Sequence, residues 1–376
     1  MNSTNTIIIG AGAAGLSTSA FLGKEKIPYI LLERDGGVGS SWRRHYDRLH
    51  LHTVKTFSHL PMLPFPSSFP KYVPRESLIS YMELYAEKFH INPIYHTTVT
   101  KIENDDSQWM VTTKDTTYTS QNIVVATGYN HTPHIPEWKG FKEYKGEISH
   151  SREYKNGTNY RGKKVLVVGA GNTGAEVALD LYEYGAQPSI CIRGPLRVVP
   201  RDLFGVPTQI SALMLNTLPL NIADQISQFL LFLAVPDLSE FGIKPPDYGS
   251  LRQVKDEEKI PLIDIGTIDL IRKRIIHVVP AISEFLENEV LFENGAKEKF
   301  DSVILCTGYK PNLHSIFPST NNLFDKKGYP IKKGEELEKG LYFAGFNNHI
   351  TGFLHYIGIE AERISNHIIS NYRNQK

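Results

Sequence analysis

The chain has little cysteine. Cys191 and Cys306 are the only two in 376 residues, and they lie far apart. No Cys-x-x-Cys redox pair, cysteine-rich zinc site or disulfide framework can be built from them, which fits a reducing compartment. An excess of charge of one sign is also absent. Lys and Arg number 41 against 40 Asp and Glu, a net charge of +1, so no global field pulls the chain toward nucleic acid or an acidic membrane. Long apolar runs are missing too. The most apolar stretch, Phe229 to Val235, falls far short of the ~20 residues a membrane span needs. Met1 to Thr6 holds no basic n-region, and the apolar start at Ile7 runs straight into glycines. The expectation is a cytoplasmic protein without stable membrane insertion.

What is present is ordinary globular composition, 41% hydrophobic and 22% charged. One core usually stops growing near ~250–300 residues, so this length calls for two domains or more.

The chain opens on a βαβ pattern. Thr6 to Ile9 is a β-branched run, the mark of a buried parallel strand. Gly10, Gly12 and Gly15 follow in G-x-G-x-x-G spacing, then a helical stretch, then a strand from Tyr29 that carries Glu33 near its end. The pattern recurs at Lys164 to Val168, with Gly169, Gly171 and Gly174, a helix to about Tyr184, and a strand ending at Arg193. One such loop is weak evidence of nucleotide binding; two in matching contexts are stronger. The glycines allow a tight turn and let a pyrophosphate approach a helix N-terminus, whose unpaired N–H groups favour anions. Two further strands, ending in Ala126–Thr127–Gly128 and Cys306–Thr307–Gly308, finish in small residues that let backbone approach a ligand. Leu341 to Phe346 reads as one more buried strand, followed by a closing helix.

The two loops differ in the charge that follows them. Glu33 stands where a carboxylate accepts ribose hydroxyls and repels a 2′-phosphate. Arg193 stands where a guanidinium suits a 2′-phosphate, with Arg197 and Arg201 as alternatives for that role. The first site is therefore expected to take FAD and the second NADPH. Electrons then pass from nicotinamide to flavin, and onward to oxygen, a protein or a quinone.

Five motifs in order carry a family resemblance over nearly the whole chain. They are Tyr46 to Pro66 (YDRLHLHTVKTFSHLPMLPFP), Tyr144 to Tyr154 (YKGEISHSREY, similar to FxGxxxHxxx(Y/F)), GAGNTG at Gly169 to Gly174, CTGYKPN at Cys306 to Asn312, and TGFLHYIGIEAERI at Thr351 to Ile364. The chain resembles the flavin-containing monooxygenases, most closely the YUCCA-type branch and its bacterial relatives. Tyr154 stands where the Baeyer–Villiger branch has Trp, which disfavours that branch. His52 stands where many members have Asn.

The resemblance implies FAD and NADPH as cofactors, hydride transfer to the flavin, and a C4a-peroxyflavin shielded from water. It makes His52 and Lys55 the catalytic candidates, Trp42 a neighbour of the isoalloxazine, and His150 a residue near the hinge that positions NADPH; the rival reading of His150 is a loop histidine bonding a backbone carbonyl. The full cofactor-binding set is Gly10, Gly12, Ala13, Ala14, Gly15, Glu33, Arg34, Ser41, Trp42, His52, Thr53, Val99, Ala126, Thr127, Gly128, His150, Gly169, Gly171, Asn172, Thr173, Gly174, Arg193, Gly308, Tyr309, Gly345 and Thr351. No metal is expected.

The expected fold is α/β, with two Rossmann-like dinucleotide-binding domains. The FAD domain is discontinuous, at 1–135 and 305–376, and the NADPH domain spans 136–304. The expected function is oxygenation of a small soft nucleophile, a sulfide or amine. Alternatives are oxidative decarboxylation of a 2-oxo acid such as indole-3-pyruvate, an NADPH oxidase or flavin reductase releasing hydrogen peroxide, and a nucleotide-sensing scaffold. Expected partners are the small-molecule substrate and O₂, with a homodimer as the one protein assembly considered and no nucleic acid. Residues 203–260 mix apolar helical stretches with prolines. Their apolar part, Ile210 to Val235, interrupted by Asn216, Pro219 and Asp224, has three readings: it lines the substrate channel, packs between subunits or dips into a membrane surface. The lack of a strongly basic polar face disfavours the membrane, and burial over the active site is expected.

Overall fold

The computed structural model describes residues 2–105, 107–318 and 322–374. The chain divides into two compact units. The first comprises Met1–Arg44, Thr53–Thr132 and Tyr309–Lys376; the second comprises His45–His52 and Pro133–Gly308. The sequence expectation put 45–52 in the first domain. The segment goes with the second because its bonds lie there: the Asp47 N–H donates to the Lys155 carbonyl at 2.8 Å, and the Arg48 guanidinium reaches Glu183 at 2.9 Å.

In the first unit, β1 (Asn2–Ile9) leads through the glycine loop into α1 (Ala13–Lys24) and then β2 (Tyr29–Leu32). Ile7, Ile8 and Ile9 are all buried, as a strand covered on both faces requires. A longer helix, α2 (Arg75–Lys88), buries Leu78, Tyr81, Met82, Tyr85 and Ala86, an i, i+3, i+4, i+7, i+8 stripe that folds one face onto the core. A hairpin of β3 (Val99–Asn104) and β4 (Trp109–Thr113) then feeds β5 (Thr117–Val125), which runs parallel to β1.

The second unit holds β6 (Glu147–His150), β7 (Lys164–Val168), α3 (Asn172–Glu183) and β8 (Gln187–Cys191). The helices α4 (Thr208–Leu215), α5 (Leu220–Ala234) and α6 (Ser250–Glu257) lie further along, with a short helix at Thr267–Arg272, and then β9 (His277–Val279) and β10 (Ser302–Leu305). Its sheet has the order β9–β8–β7–β10–β6, parallel throughout. The chain then returns to the first unit with β11 (Glu336–Glu338), β12 (Leu341–Phe343) and α7 (Phe353–Asn374). There the strand order is β2–β1–β5–β12–β11, with β4 pairing onto β5. The second unit is thus a parallel α/β sheet, and the first a mixed one with the parallel core β2–β1–β5–β12 and antiparallel strands β4 and β11 beside it; each has a glycine turn at the carboxyl end of a central parallel strand, where open α/β sheets take ligands.

The stretch expected to be buried is not. Helix α5 turns Ala223, Asp224, Ser227 and Leu231 inward and leaves Ile222, Phe229, Phe232 and Leu233 exposed. The cause is Asp224. Its carboxylate accepts the N–H groups of Gly249, Leu251 and Arg252 at the start of α6, at 2.9–3.1 Å, which holds the small and polar face of α5 inside. Among the described residues no helix is long and apolar enough to cross a membrane.

Candidate functional site

The first glycine loop is built for close approach. Gly10 has φ +104°, and a Cβ there would stand 2.7 Å from the Ala126 carbonyl oxygen. A Cβ on Gly15 would stand 1.9 Å from the Gly10 oxygen. These two glycines let β1, β5 and α1 touch. Gly12 differs: a Cβ on it would meet nothing within 4 Å. Gly12 is the N-cap of α1, extended and without a side-chain cap, so the leading N–H groups of the helix face an open cradle.

Glu33, just past β2, anchors the turn. Its buried carboxylate accepts the Ala11 N–H at 2.7 Å and the Asp35 N–H at 2.9 Å, one on each oxygen. An ionised carboxylate offers about four acceptor sites, so each oxygen keeps capacity for a ribose hydroxyl. The loop opens on a cavity of about 290 Å³ within this unit. Gly10, Gly12, Ala13, Ala14, Glu33, Arg34, Ser41, Trp42, Val99, Ala126, Thr127, Gly128 and Gly345 line it, all of them named from the sequence. Gly345 closes the wall because its N–H is held by Glu360 at 2.8 Å; burial raises the Glu360 carboxyl above the ordinary range.

Sequence reasoning missed other lining residues. Thr97 and Thr98 precede β3, and His131 meets the Arg34 guanidinium at 2.7 Å. Asn312 sits in left-handed backbone at φ +54°, and Phe353 opens α7. These lie on segments distant in sequence, where no local motif marks them; a left-handed Asn after Pro311 is the one local signal.

The remaining candidates of this unit lie off the cavity lining. Gly15 is under α1. The Thr53 hydroxyl pairs with Ser58 at 2.7 Å, Thr351 pairs with His349 at 2.8 Å, and Tyr309 begins the return from the second unit. Lys55 donates to the carbonyls of Ser67 and Phe69, at 2.8 and 2.5 Å, and so ties down the proline-rich segment.

The second glycine loop repeats the first in the other unit. Gly169 has φ +109°, with a Cβ position 2.6 Å from the Cys306 oxygen. A Cβ on Gly174 would lie 1.8 Å from the Gly169 oxygen, and one on Gly171 would meet nothing within 4 Å. Gly171 caps α3 with the same extended geometry as Gly12. Asn172 staples the turn: its amide oxygen accepts the Ile263 N–H at 2.7 Å. Arg193 stands exposed two residues past β8. Arg197, by contrast, donates to the carbonyls of Pro246 and Tyr248, which holds it in a structural role.

A buried cluster joins the 45–52 segment to α3. His52 Nε2 lies 2.8 Å from Glu176 Oε1, and the Glu176 side chain is 2% exposed. His52 Nδ1 is buried without a partner among the described residues. Tyr46 bonds Glu176 and Thr173; burial, with Glu176 adding to it, pushes its phenol well above the ordinary range.

His150, at the end of β6, is buried. Its Nδ1 accepts the Arg152 N–H at 3.1 Å, so Nε2 carries the proton and donates to the Gly308 carbonyl at 3.1 Å. Burial lowers its pKa. The structure brings His150 and Gly308 together, through backbone. Burial also raises the Cys191 thiol to about 11 and the Cys306 thiol to about 12, so neither is a thiolate at neutral pH. No group of His, Cys, Asp and Glu among the described residues could hold a metal.

The open cradles at Gly12 and Gly171 fit dinucleotide pyrophosphates, since they are the two loop positions where a Cβ meets no protein atom. The family described as pyridine nucleotide-disulphide oxidoreductase matches residues 7–203. A probable indole-3-pyruvate monooxygenase, YUCCA4 of Arabidopsis thaliana, is 42% identical, over 90% of this chain and 84% of its own. The indole-3-pyruvate monooxygenase YUCCA4 of Oryza sativa subsp. japonica is 39% identical, over 91% and 82%. A mutant flavin monooxygenase from Stenotrophomonas maltophilia shares the fold at 19% identity, with a TM-score of 0.75 over 98% of this chain and 99% of that one.

Fold and site together define an oxidoreductase with two α/β units, each carrying a dinucleotide-type glycine loop. The chain belongs to the flavin-containing monooxygenases, in the branch of the YUCCA enzymes.

Proposed function

We propose that this enzyme uses FAD, NADPH and O₂ to decarboxylate a 2-oxo acid of the indole-3-pyruvate type. One observation carries the choice of substrate over a sulfide or amine: relatives sharing 37–42% of their residues across 90% or more of the chain are named for that acid. The balance is simple. The 2-oxo acid, NADPH, a proton and O₂ give a carboxylic acid one carbon shorter, CO₂, NADP⁺ and water. One oxygen atom enters the new carboxylate, the C1–C2 bond breaks, and the other oxygen leaves as water.

Bound flavin supplies hydride acceptance and oxygen activation. The chain's own groups then have separate tasks. The α1 N-terminus behind Gly12 holds one pyrophosphate and Glu33 its ribose. The α3 N-terminus behind Gly171 holds the other, and Arg193 reads a 2′-phosphate by charge-assisted hydrogen bonds. Glu176 fixes the His52 ring at Nε2 and leaves Nδ1 to meet a ligand. Exclusion of water, rather than an acid–base dyad, protects the oxygenating species.

The test is product analysis. Flavin-loaded enzyme is given NADPH, air and either indole-3-pyruvate or methyl phenyl sulfide. The expected result is one CO₂ and one indole-3-acetate per NADPH, with little sulfoxide. Sulfoxide without CO₂ release would overturn the reading in favour of heteroatom oxygenation. NADPH consumption yielding hydrogen peroxide from both substrates would make the enzyme an oxidase.

A further inference from the structure

Helix α5 is amphipathic the wrong way round for a monomer. The side packed on its own unit is Ala223, Asp224, Ser227 and Leu231. The outer side carries Ile222 (51% exposed), Ile226 (37%), Phe229 (62%), Phe232 (80%) and Leu233 (56%), with Met214 of α4 at 69%. Ile222, Ile226, Phe229 and Leu233 follow i, i+4, i+7, i+11, a single stripe along the helix. Asp224, clamped on the start of α6, prevents the helix from rolling this stripe inward.

We propose that this stripe is an isologous interface, covered by the same stripe of a second copy of this chain. Area is the first argument. At roughly 200 Å² for a whole large side chain, the five exposed fractions on α5 come to about 570 Å². That stands at the top of the ~300–600 Å² range of the largest patch on a typical monomer, and makes up most of the ~800 Å² each partner buries in a standard interface. Charge is the second. Across residues 208–235 the only charged side chain is Asp224, and it is buried. A helix seated on anionic lipid carries Lys or Arg on its polar face, and this one has Asn221, Gln225 and Gln228 instead. A two-fold axis brings the stripe onto itself and needs no complementary charge, and homodimer interfaces are the most apolar class.

The experiment uses the full-length, flavin-loaded protein. Light scattering after gel filtration, at several micromolar, is expected to give about 85 kDa, twice the chain mass of 42.5 kDa. Phe229→Glu and Phe232→Glu, made singly, are each expected to weaken the dimer by at least ~30-fold, the effect of losing a central anchor, and to elute as monomer. Retained flavin and an unchanged circular dichroism spectrum show that the variants fold; Ile226→Glu is a further substitution on the same stripe should either fail. Flotation with neutral and with anionic phospholipid vesicles runs beside it. A monomeric wild type at 50 μM would overturn the proposal. So would a dimer that all the substitutions leave intact, and so would vesicle binding by a monomeric wild type that the substitutions abolish.

Discussion

Gly12 and Gly15 are three residues apart and predict opposite behaviour when each is changed to alanine. The Gly12 methyl meets no protein atom within 4 Å, and its backbone, at φ −84° and ψ −170°, suits alanine. Alanine is a poorer N-cap than glycine by about 0.5–1 kcal/mol. The unfolded chain loses freedom in return, worth about 0.4–1 kcal/mol of stability. The two nearly cancel, so flavin-free Gly12→Ala is expected to unfold within about 1 kcal/mol of wild type. The same methyl stands where a pyrophosphate must meet the α1 N–H groups. A ligand at about 100 times its Kd stabilises by about 2.7 kcal/mol, and that increment disappears. For a unit of roughly 150–250 residues the loss is a Tm drop of about 5–11 °C, seen only with flavin present. Gly15→Ala is different in kind. Its methyl would lie 1.9 Å from the Gly10 oxygen, backbone against backbone, so the cost of about 1–3 kcal/mol or more falls on flavin-free and flavin-loaded protein alike. The assay is thermal unfolding with and without added FAD, plus the flavin absorbance of the purified proteins. A yellow Gly12→Ala with wild-type Tm, or a flavin-free Gly15→Ala as stable as wild type, would refute the division of roles.

Two further predictions concern the second unit. Arg193→Ala is expected to raise KM for NADPH tenfold or more, since it removes one charge-assisted contact worth about 1.5–3 kcal/mol, and to leave KM for NADH nearly unchanged; equal effects in steady-state kinetics would mean that the 2′-phosphate is read elsewhere. His150 is buried with its pKa below the ordinary 6.5, so the unfolded chain binds more protons in the window beneath 6.5. Its contribution to stability is present above that value and is lost as pH falls toward the depressed folded value. His355, in the first unit, has the same sign, so the measurement is a difference: the urea midpoint of His150→Gln against pH should slope less steeply than wild type below pH 6.5. Parallel curves would show that His150 is not held neutral.

Much of the site was legible because a βαβ unit is local. The β-branched run, the glycines, the helix and Glu33 fall within about thirty residues, and each has a steric or electrostatic reason to stand where it does. Strand ends were less legible. Glu33 lies just beyond β2 and Arg193 two residues beyond β8, because pattern does not mark where ladder bonding stops. The partner of His52 was not legible at all: Glu176 sits on a helix 124 positions later, and no spacing rule links the two.

The sequence by itself determined the α/β class, the two glycine loops and the opposite charges that follow them, since these depend on short-range sterics and on side-chain type. Only the tertiary structure decided which glycines brace backbone and which face open space, that Lys55 ties a loop, that 45–52 belongs with the second unit, and that α5 turns its large apolar side outward. Those outcomes rest on contacts between distant segments. Asp224 reads in sequence as an interruption of an apolar helix, and becomes the cap of another helix only once the chain has folded back on itself.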